Sequence, residues 1–170
     1  QLGEVSIVLA QSEPNRRIVI IPSCRNTAQL VKVLSGFTDS LVNEICVIID
    51  GASEAELAAV QKAASKIQTP VHIISKAARQ GVGLAIRQGI QYAQSKRYDI
   101  AIVMAGNGKD QPSEIPRLLT PITRHNYDYV QGSRFLNGGR PVNNPFFRRV
   151  FSWLFPFVWT LFTNRRCTDV

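Results

Sequence analysis

The sequence lacks a cysteine pair at a metal-ligand spacing: Cys24, Cys46 and Cys167 are far apart, and neither a CxxC nor a Cys/His cluster occurs. That argues against a structural metal and points to a reduced, cytoplasm-facing protein. No secretory signal is expected at the start, because residues 1–10 have no basic opening and only a short apolar run. No apolar run is long enough to cross a bilayer; the stretch Trp153–Phe162 reaches about half of the ~20 residues a spanning helix needs, and Pro156 interrupts it. Internal repeats and low-complexity segments are also missing. Only two histidines occur: His72 lies in a strand pattern and His125 in a polar turn, so both read as structural or solvated rather than catalytic. The chain opens on Gln1 and stops at Val170 just after an arginine-rich stretch, which reads as a piece of a longer sequence.

What is present suits one folded globular domain: 170 residues with 45% hydrophobic content. The formal charge is +8, and it is uneven. Residues 124–170 carry seven Lys/Arg against two Asp/Glu, whereas residues 1–123 carry thirteen against ten. A basic end of this kind suits a polyanion, an anionic membrane surface or a phosphorylated substrate. Nucleic acid is the weakest of these partners, because no recognition motif accompanies the charge.

Strand-like runs, most of them rich in Ile and Val, recur at Arg17–Ile21, Ile45–Ile49, Val71–Ile74, Ile100–Met104 and Tyr127–Val130. Helical periodicity fills the intervals at Ala28–Leu34, Glu54–Lys66, Leu84–Lys96 and Glu114–Thr123. Alternation of this kind predicts an α/β fold with right-handed crossovers and an open, mostly parallel sheet covered by helices on both faces. Ligands then gather at the carboxyl ends of the strands, in Pro22–Asn26, Asp50–Ser53, Lys76–Gly83 and Ala105–Gln111.

Three of those loops carry distinctive chemistry. Asp50 ends a strand, where a carboxylate either accepts hydrogen bonds from a nucleobase or ribose or simply forms a turn. In KAARQGVGLAIRQGI, Gly81 and Gly83 stand at a helix start, where small residues let the backbone approach a phosphate; Lys76 and Arg79 add positive charge, or form a solvated basic loop. In IAIVMAGNGKDQP a buried-strand pattern empties into Gly, Asn, Lys and Asp.

Together, IVIIPSCRN, VIIDGAS, RQGVGLAIRQGI, VMAGNGKDQPSEIP, DYVQGSRFLNGG and RRVFSWL resemble, in order and spacing, the family 2 glycosyltransferases of GT-A (Rossmann-like) fold. They are most similar to the dolichyl- or polyprenyl-phosphate sugar transferases, and the resemblance runs from Arg17 to Val170. It implies transfer of a sugar from a nucleoside-diphosphate sugar to a lipid-linked phosphate acceptor. It places Pro22 and Ser23 in the first nucleotide-facing loop, Asp50 against the base, and Gly81 and Gly83 beside the nucleotide. It also implies that Gly132, Ser133 and Arg134 match a GSR motif whose arginine nears the acceptor phosphate. Arg148, Arg149 and Ser152 would lie on interfacial helices presenting the lipid. The final CTDV is similar to the start of the family's Asp-x-Thr-x-Gly-Phe-Arg segment.

The chain also departs from that pattern. Asp50 is followed by Gly51 where the family has a second acid, and Asn26 replaces a glutamate of the first loop. The Asp-x-Asp that holds Mg²⁺ or Mn²⁺ falls on Ala105, Gly106 and Asn107. A site without that acid pair is a poor home for a hard cation. Three readings stay open: the Lys109 ammonium takes the metal's place beside a pyrophosphate, Asp110 joins Asn107 as a weak metal ligand, or the loop has lost catalysis and the chain is a non-catalytic sugar-nucleotide-binding or assembly module.

The expected organisation is a nucleotide-sugar-binding domain over 1–136 followed by a basic, aromatic, acceptor-side segment over 137–170. The latter reads either as a helix lying in the interface at the cytoplasmic face of a membrane or as a core or dimer helix capped by arginines.

Overall fold

The computed structural model describes residues 15–24, 27–38, 41–132, 154–155 and 157–162. Four strands, β1 (Arg17–Ser23), β2 (Glu44–Asp50), β3 (Val71–Lys76) and β4 (Ile100–Val103), alternate with helices α1 (Thr27–Ser35), α2 (Glu54–Ala64) and α3 (Val82–Ser95). A 3₁₀ turn at Pro112–Glu114 leads into α4 (Ile115–His125). The sheet order is β3-β2-β1-β4 with every pairing parallel.

The continuous apolar runs explain the centre of the sheet. Ile18, Val19, Ile20 and Ile21 of β1 are all fully buried, as are Ile45 to Ile48 of β2. Side chains of a strand alternate between faces. Ile18, Ile20, Cys46 and Ile48 pack with Ala85 and Ala93 of α3, so Val19, Ile21, Val47 and Ile49 occupy the other face. Burying each Ile or Val contributes ~1.5–3 kcal/mol, more than the ~1 kcal/mol of a helix cap. The strands therefore hold the fold and the caps fix where helices begin. The Ser53 cap of α2 is such a device: its hydroxyl accepts the Glu56 amide N–H at 3.3 Å, and the Glu56 carboxylate accepts the Ser53 amide N–H at 2.9 Å.

Because β3 is followed by a return across the sheet to β4 on the far side of β1, the strand order reverses between β1 and β4. Such a switch point opens a crevice at the carboxyl ends of the strands. At the opposite end the sheet is tied by Glu44, whose carboxylate accepts hydrogen bonds from the Tyr92 hydroxyl at 2.6 Å and from the Tyr98 hydroxyl. Burial, then the bond to Glu44, raises the pKa of both phenols. His72, exposed on β3, stacks on Tyr92 at 4.3 Å.

One expected element is corrected. Tyr127–Val130 forms no strand. The chain leaves α4 through Asn126 at φ +56°, the Tyr127 amide N–H donates to the Pro121 carbonyl, and Tyr127 and Tyr129 stay 58% and 75% exposed. β-Propensity expresses packing on a pleated surface, and these aromatics have none to pack on.

The chain divides into two compact units, residues 1–116 and 117–170. The boundary expected at 136/137 lies outside the described residues. In the second unit residues 154–155 and 157–162 are helical, and no described helix is long and apolar enough to cross a membrane.

Candidate functional site

A cleft of about 400 Å³ opens at the carboxyl ends of β1 and β2, lined by Pro22, Ser23, Cys24, Asp50, Arg79, Gly81, Val82 and Ala85. Each wall follows from local sequence. β1 ends in Pro22 and Ser23, with Ser23 only 8% exposed. β2 ends in Asp50, a carboxylate that is 4% exposed. Gly51 then turns the chain at φ +71°, its N–H donating to the Lys76 carbonyl at 2.9 Å.

Across from Asp50, the β3–α3 loop supplies Arg79 and the start of α3. Gly81 is the N-cap at φ +93°, and no side chain caps the first turn. The N–H groups of that turn carry the positive end of the helix dipole. The loop is braced through Gln80: its side-chain oxygen accepts from the Lys76 ammonium, and its amide N–H donates to Asp50 Oδ2 at 3.3 Å. Asp50 Oδ1 is buried and has no hydrogen-bond partner among the described residues.

The structure thus brings Pro22, Ser23, Asp50 and Gly81 into one cleft. Gly83 is exposed in the first turn of α3 and is not among the lining residues. Ser133, Arg134, Arg148, Arg149, Ser152 and Asn26 lie outside the described residues. Cys24, Val82 and Ala85 were not singled out from sequence. Cys24 simply continues the Pro22–Ser23 strand end, Val82 separates the two glycines, and Ala85 is one turn on, its N–H bonded to the Gly81 carbonyl.

Asn107, Lys109 and Asp110 are in the separate loop after β4, and that loop is occupied with itself. The Asp110 carboxylate accepts the Ala105 amide N–H at 2.7 Å, Asn107 Oδ1 accepts the Lys109 amide N–H at 3.1 Å, and the Gln111 side chain donates to the Gly108 carbonyl at 3.2 Å. Gly106 is pressed onto the end of β1, where a Cβ would come within 3.1 Å of the Ser23 Cβ. Among the described residues no cluster of three His, Cys, Asp or Glu side chains is arranged to hold a metal ion. Ala105, Gly106 and Asn107 offer no carboxylate, and Asp110 is engaged by the main chain. This donor set does not fit a divalent cation.

An open parallel sheet with a polar cleft at its carboxyl edge defines a Rossmann-like α/β protein of the GT-A kind. The sequence profile of Glycosyl transferase family 2 matches residues 8–168, and the chain belongs to that family. It is 26% identical over 155 residues to an undecaprenyl-phosphate mannosyltransferase of Micrococcus luteus, covering 91% of this chain and 63% of that protein. It is 29% identical over 137 residues to a dolichol-phosphate mannosyltransferase of Pyrococcus furiosus, covering 79% of this chain and 37% of that protein. A UDP-N-acetylglucosamine–dolichyl-phosphate N-acetylglucosaminyltransferase of Methanococcus voltae is 30% identical over 90 residues, covering 53% of this chain and 36% of that protein. The chain therefore spans less than two thirds of the length of each of these relatives.

Proposed function

We propose that the chain is the donor-binding part of a glycosyltransferase that moves a sugar from a nucleoside-diphosphate sugar to a polyprenyl or dolichyl phosphate. The observation that carries this reading is the cleft itself, with Asp50, Arg79 and the uncapped start of α3 on its walls, in a chain of this family. The lipid-phosphate sugar transfer for which these relatives are named supports the lipid-phosphate acceptor. In the reaction, an acceptor phosphate oxygen attacks the anomeric carbon, the bond from that carbon to the diphosphate breaks, and the nucleoside diphosphate leaves with the electron pair. A phosphate is already anionic at neutral pH, so no strong general base is needed. Catalysis then rests on alignment and on positive groups facing the departing diphosphate.

In this reading Pro22, Ser23, Asp50 and Gly81 hold the nucleotide, Lys109 supplies positive charge from the loop after β4, and Arg134, Arg148 and Arg149 serve the acceptor phosphate. Residues 137–170 meet an anionic membrane surface, on the cytoplasmic face. A second reading, a sugar-nucleotide-binding module without turnover, is favoured by the lack of carboxylates at 105–107.

Calorimetry with nucleoside diphosphates and sugar nucleotides, with and without Mg²⁺ or Mn²⁺, followed by transfer to a short polyprenyl phosphate, tests both. Binding with transfer supports the enzyme. Binding without transfer selects the module, and no binding to any nucleotide removes the donor site altogether.

A further inference from the structure

Two walls of the cleft belong to long elements that are joined again at the opposite end of the sheet. β2 runs from Glu44 to Asp50 and enters the cleft with its last residue, while the start of α3 lines the cleft with Gly81, Val82 and Ala85 and the helix then runs back to Ser95. Away from the cleft, the Tyr92 hydroxyl of α3 donates to the Glu44 carboxylate of β2 at 2.6 Å, and His72 stacks on the Tyr92 ring. Among the described residues this is the only side-chain hydrogen bond from α3 to the sheet. The cleft end of α3 has no comparable hold: Val82 and Leu84 are exposed, no side chain caps the first turn, and nothing lies within 4 Å of where a Cβ of Gly83 would stand. Packing on the sheet begins at Ala85 and is closest at Gly89, where a Cβ would meet Ile20 Cγ2 at 2.3 Å.

α3 is therefore a rod gripped near its carboxyl end, with its less firmly held end at the cleft. At a rise of about 1.5 Å per residue, Tyr92 lies about 4.5 Å along the axis from Gly89, and Gly81 about 12 Å in the other direction. A tilt about the Gly89 contact moves the cleft end more than twice as far as the Tyr92 end. The hydrogen bond that resists this tilt goes to β2, the strand whose far end carries Asp50. Resting on the donor-site reading above, we propose that Tyr92 is a positioning residue: its bond to Glu44 fixes the separation between Asp50 and the first turn of α3, and with it the affinity of the cleft for a nucleoside diphosphate. A well-placed site depends on such support from behind, because a small misplacement of binding groups weakens every contact they make.

Glu44 supplies the control, because Tyr98 bonds the same carboxylate from the loop after α3. Tyr98→Phe removes a hydrogen bond of the same kind without loosening the helix, whereas Tyr92→Phe keeps the ring that stacks on His72 and removes only the hydroxyl that ties α3 to β2. The measurements are calorimetry with UDP and with GDP in the presence of chelator, and amide hydrogen exchange of the free chain over Ala85–Gln88. Tyr92→Phe is expected to weaken binding of whichever nucleoside diphosphate the parent takes by about threefold or more, and to speed exchange at those amides by a similar factor, as loss of one hydrogen bond allows. Tyr98→Phe should change neither by as much as about twofold, although both variants lose similar stability in urea. Affinity and exchange that are unchanged in Tyr92→Phe, or changed equally in Tyr98→Phe, overturn the inference, since both hydroxyls would then serve stability alone. Faster exchange with full affinity also overturns it. If no nucleoside diphosphate binds the parent, the donor-site reading falls, and the exchange measurement by itself decides whether Tyr92 holds the cleft end of α3.

Discussion

The Asp110 carboxylate accepts the Ala105 amide N–H at 2.7 Å, so the loop after β4 is closed by its own acid. A cation recruiting Asp110 would have to compete with that bond. Asp110→Ala is expected to lower stability by about 1 kcal/mol, near the centre of the range for one hydrogen bond. Urea denaturation should show the same loss with and without Mg²⁺. A loss seen only with the cation would make Asp110 a metal ligand instead.

Lys109 neighbours that brace. Its amide N–H is fixed by Asn107, and its side chain is exposed. An ammonium near a diphosphate supplies part of the neutralisation a cation would, and it also repels that cation. Lys109→Ala should weaken sugar-nucleotide binding roughly two- to fivefold, as one exposed charge worth up to about 1 kcal/mol allows. Chelator should leave the parent chain's affinity unchanged. Abolition of binding by chelator would restore the metal.

Two glycines of α3 should respond to alanine in opposite senses. At Gly89 a Cβ would lie 2.3 Å from Ile20 Cγ2 and 3.1 Å from Ile48 Cδ1. Both isoleucines are fully buried in central strands and have nowhere to retreat. The gain of ~0.8–1 kcal/mol in helix propensity is outweighed by overpacking of ~1–3 kcal/mol, or more. At Gly83 nothing lies within 4 Å of such a Cβ, so the propensity gain stands alone. Thermal denaturation should therefore place Gly89→Ala below the parent and Gly83→Ala at or above it.

How much of this was legible in sequence depended on whether the deciding contact was local. β1 and β2 were readable because a strand buried on both faces must be apolar throughout, as Ile18–Ile21 and Ile45–Ile49 are. Tyr127–Val130 carries two tyrosines and a valine, residues that also favour strands, but has no surface to pack on, and composition cannot show that. Asp50, Pro22, Ser23 and Gly81 could be placed in one cleft from sequence because they sit where strands end and a helix begins. The contacts of Asp110 and Arg79 were not readable, since both turn on side-chain direction: one folds back to a main-chain N–H, the other lies over a glycine 28 positions earlier in the sequence. Glu44 is bound by tyrosines 48 and 54 residues away, with no pattern announcing it.

Glu56 gives a pH dependence with a definite sign. The Ser53 amide N–H first, then the Ser53 and Thr27 hydroxyls, hold its carboxyl below the ordinary value of 4.5. A carboxylate with a depressed folded-state pKa contributes stability that is present above its unfolded pKa and lost as pH falls through the folded one. The stability difference between the parent and Glu56→Gln should be largest above pH 4.5 and fade below it. A difference that persists undiminished at pH 3 would show that the capping box acts through shape and not charge.

The aromatic segment of the second unit calls for a surface to meet. Phe155, Phe157 and Trp159 are 53%, 53% and 49% exposed, and Leu161 and Phe162 are 68% and 87% exposed. The same third of the chain carries seven basic residues against two acidic ones. Exposed aromatics with basic neighbours gain both from the apolar boundary of a bilayer and from its anionic headgroups, the latter worth about 1 kcal/mol per Lys or Arg near the surface. The chain should therefore sediment with anionic liposomes, weakly with neutral ones, and less as salt rises, because the screening length shrinks from about 8 Å at physiological ionic strength to about 3 Å at 1 M. Trp159→Ala with Phe162→Ala should reduce the bound fraction at every salt concentration, since burial of apolar rings is not screened. Retention of full binding by that double variant would assign the attraction to charge alone. Absence of liposome binding at low salt, together with a dimeric mass in solution that the double variant loses, would make the aromatic face a contact between two copies of the chain.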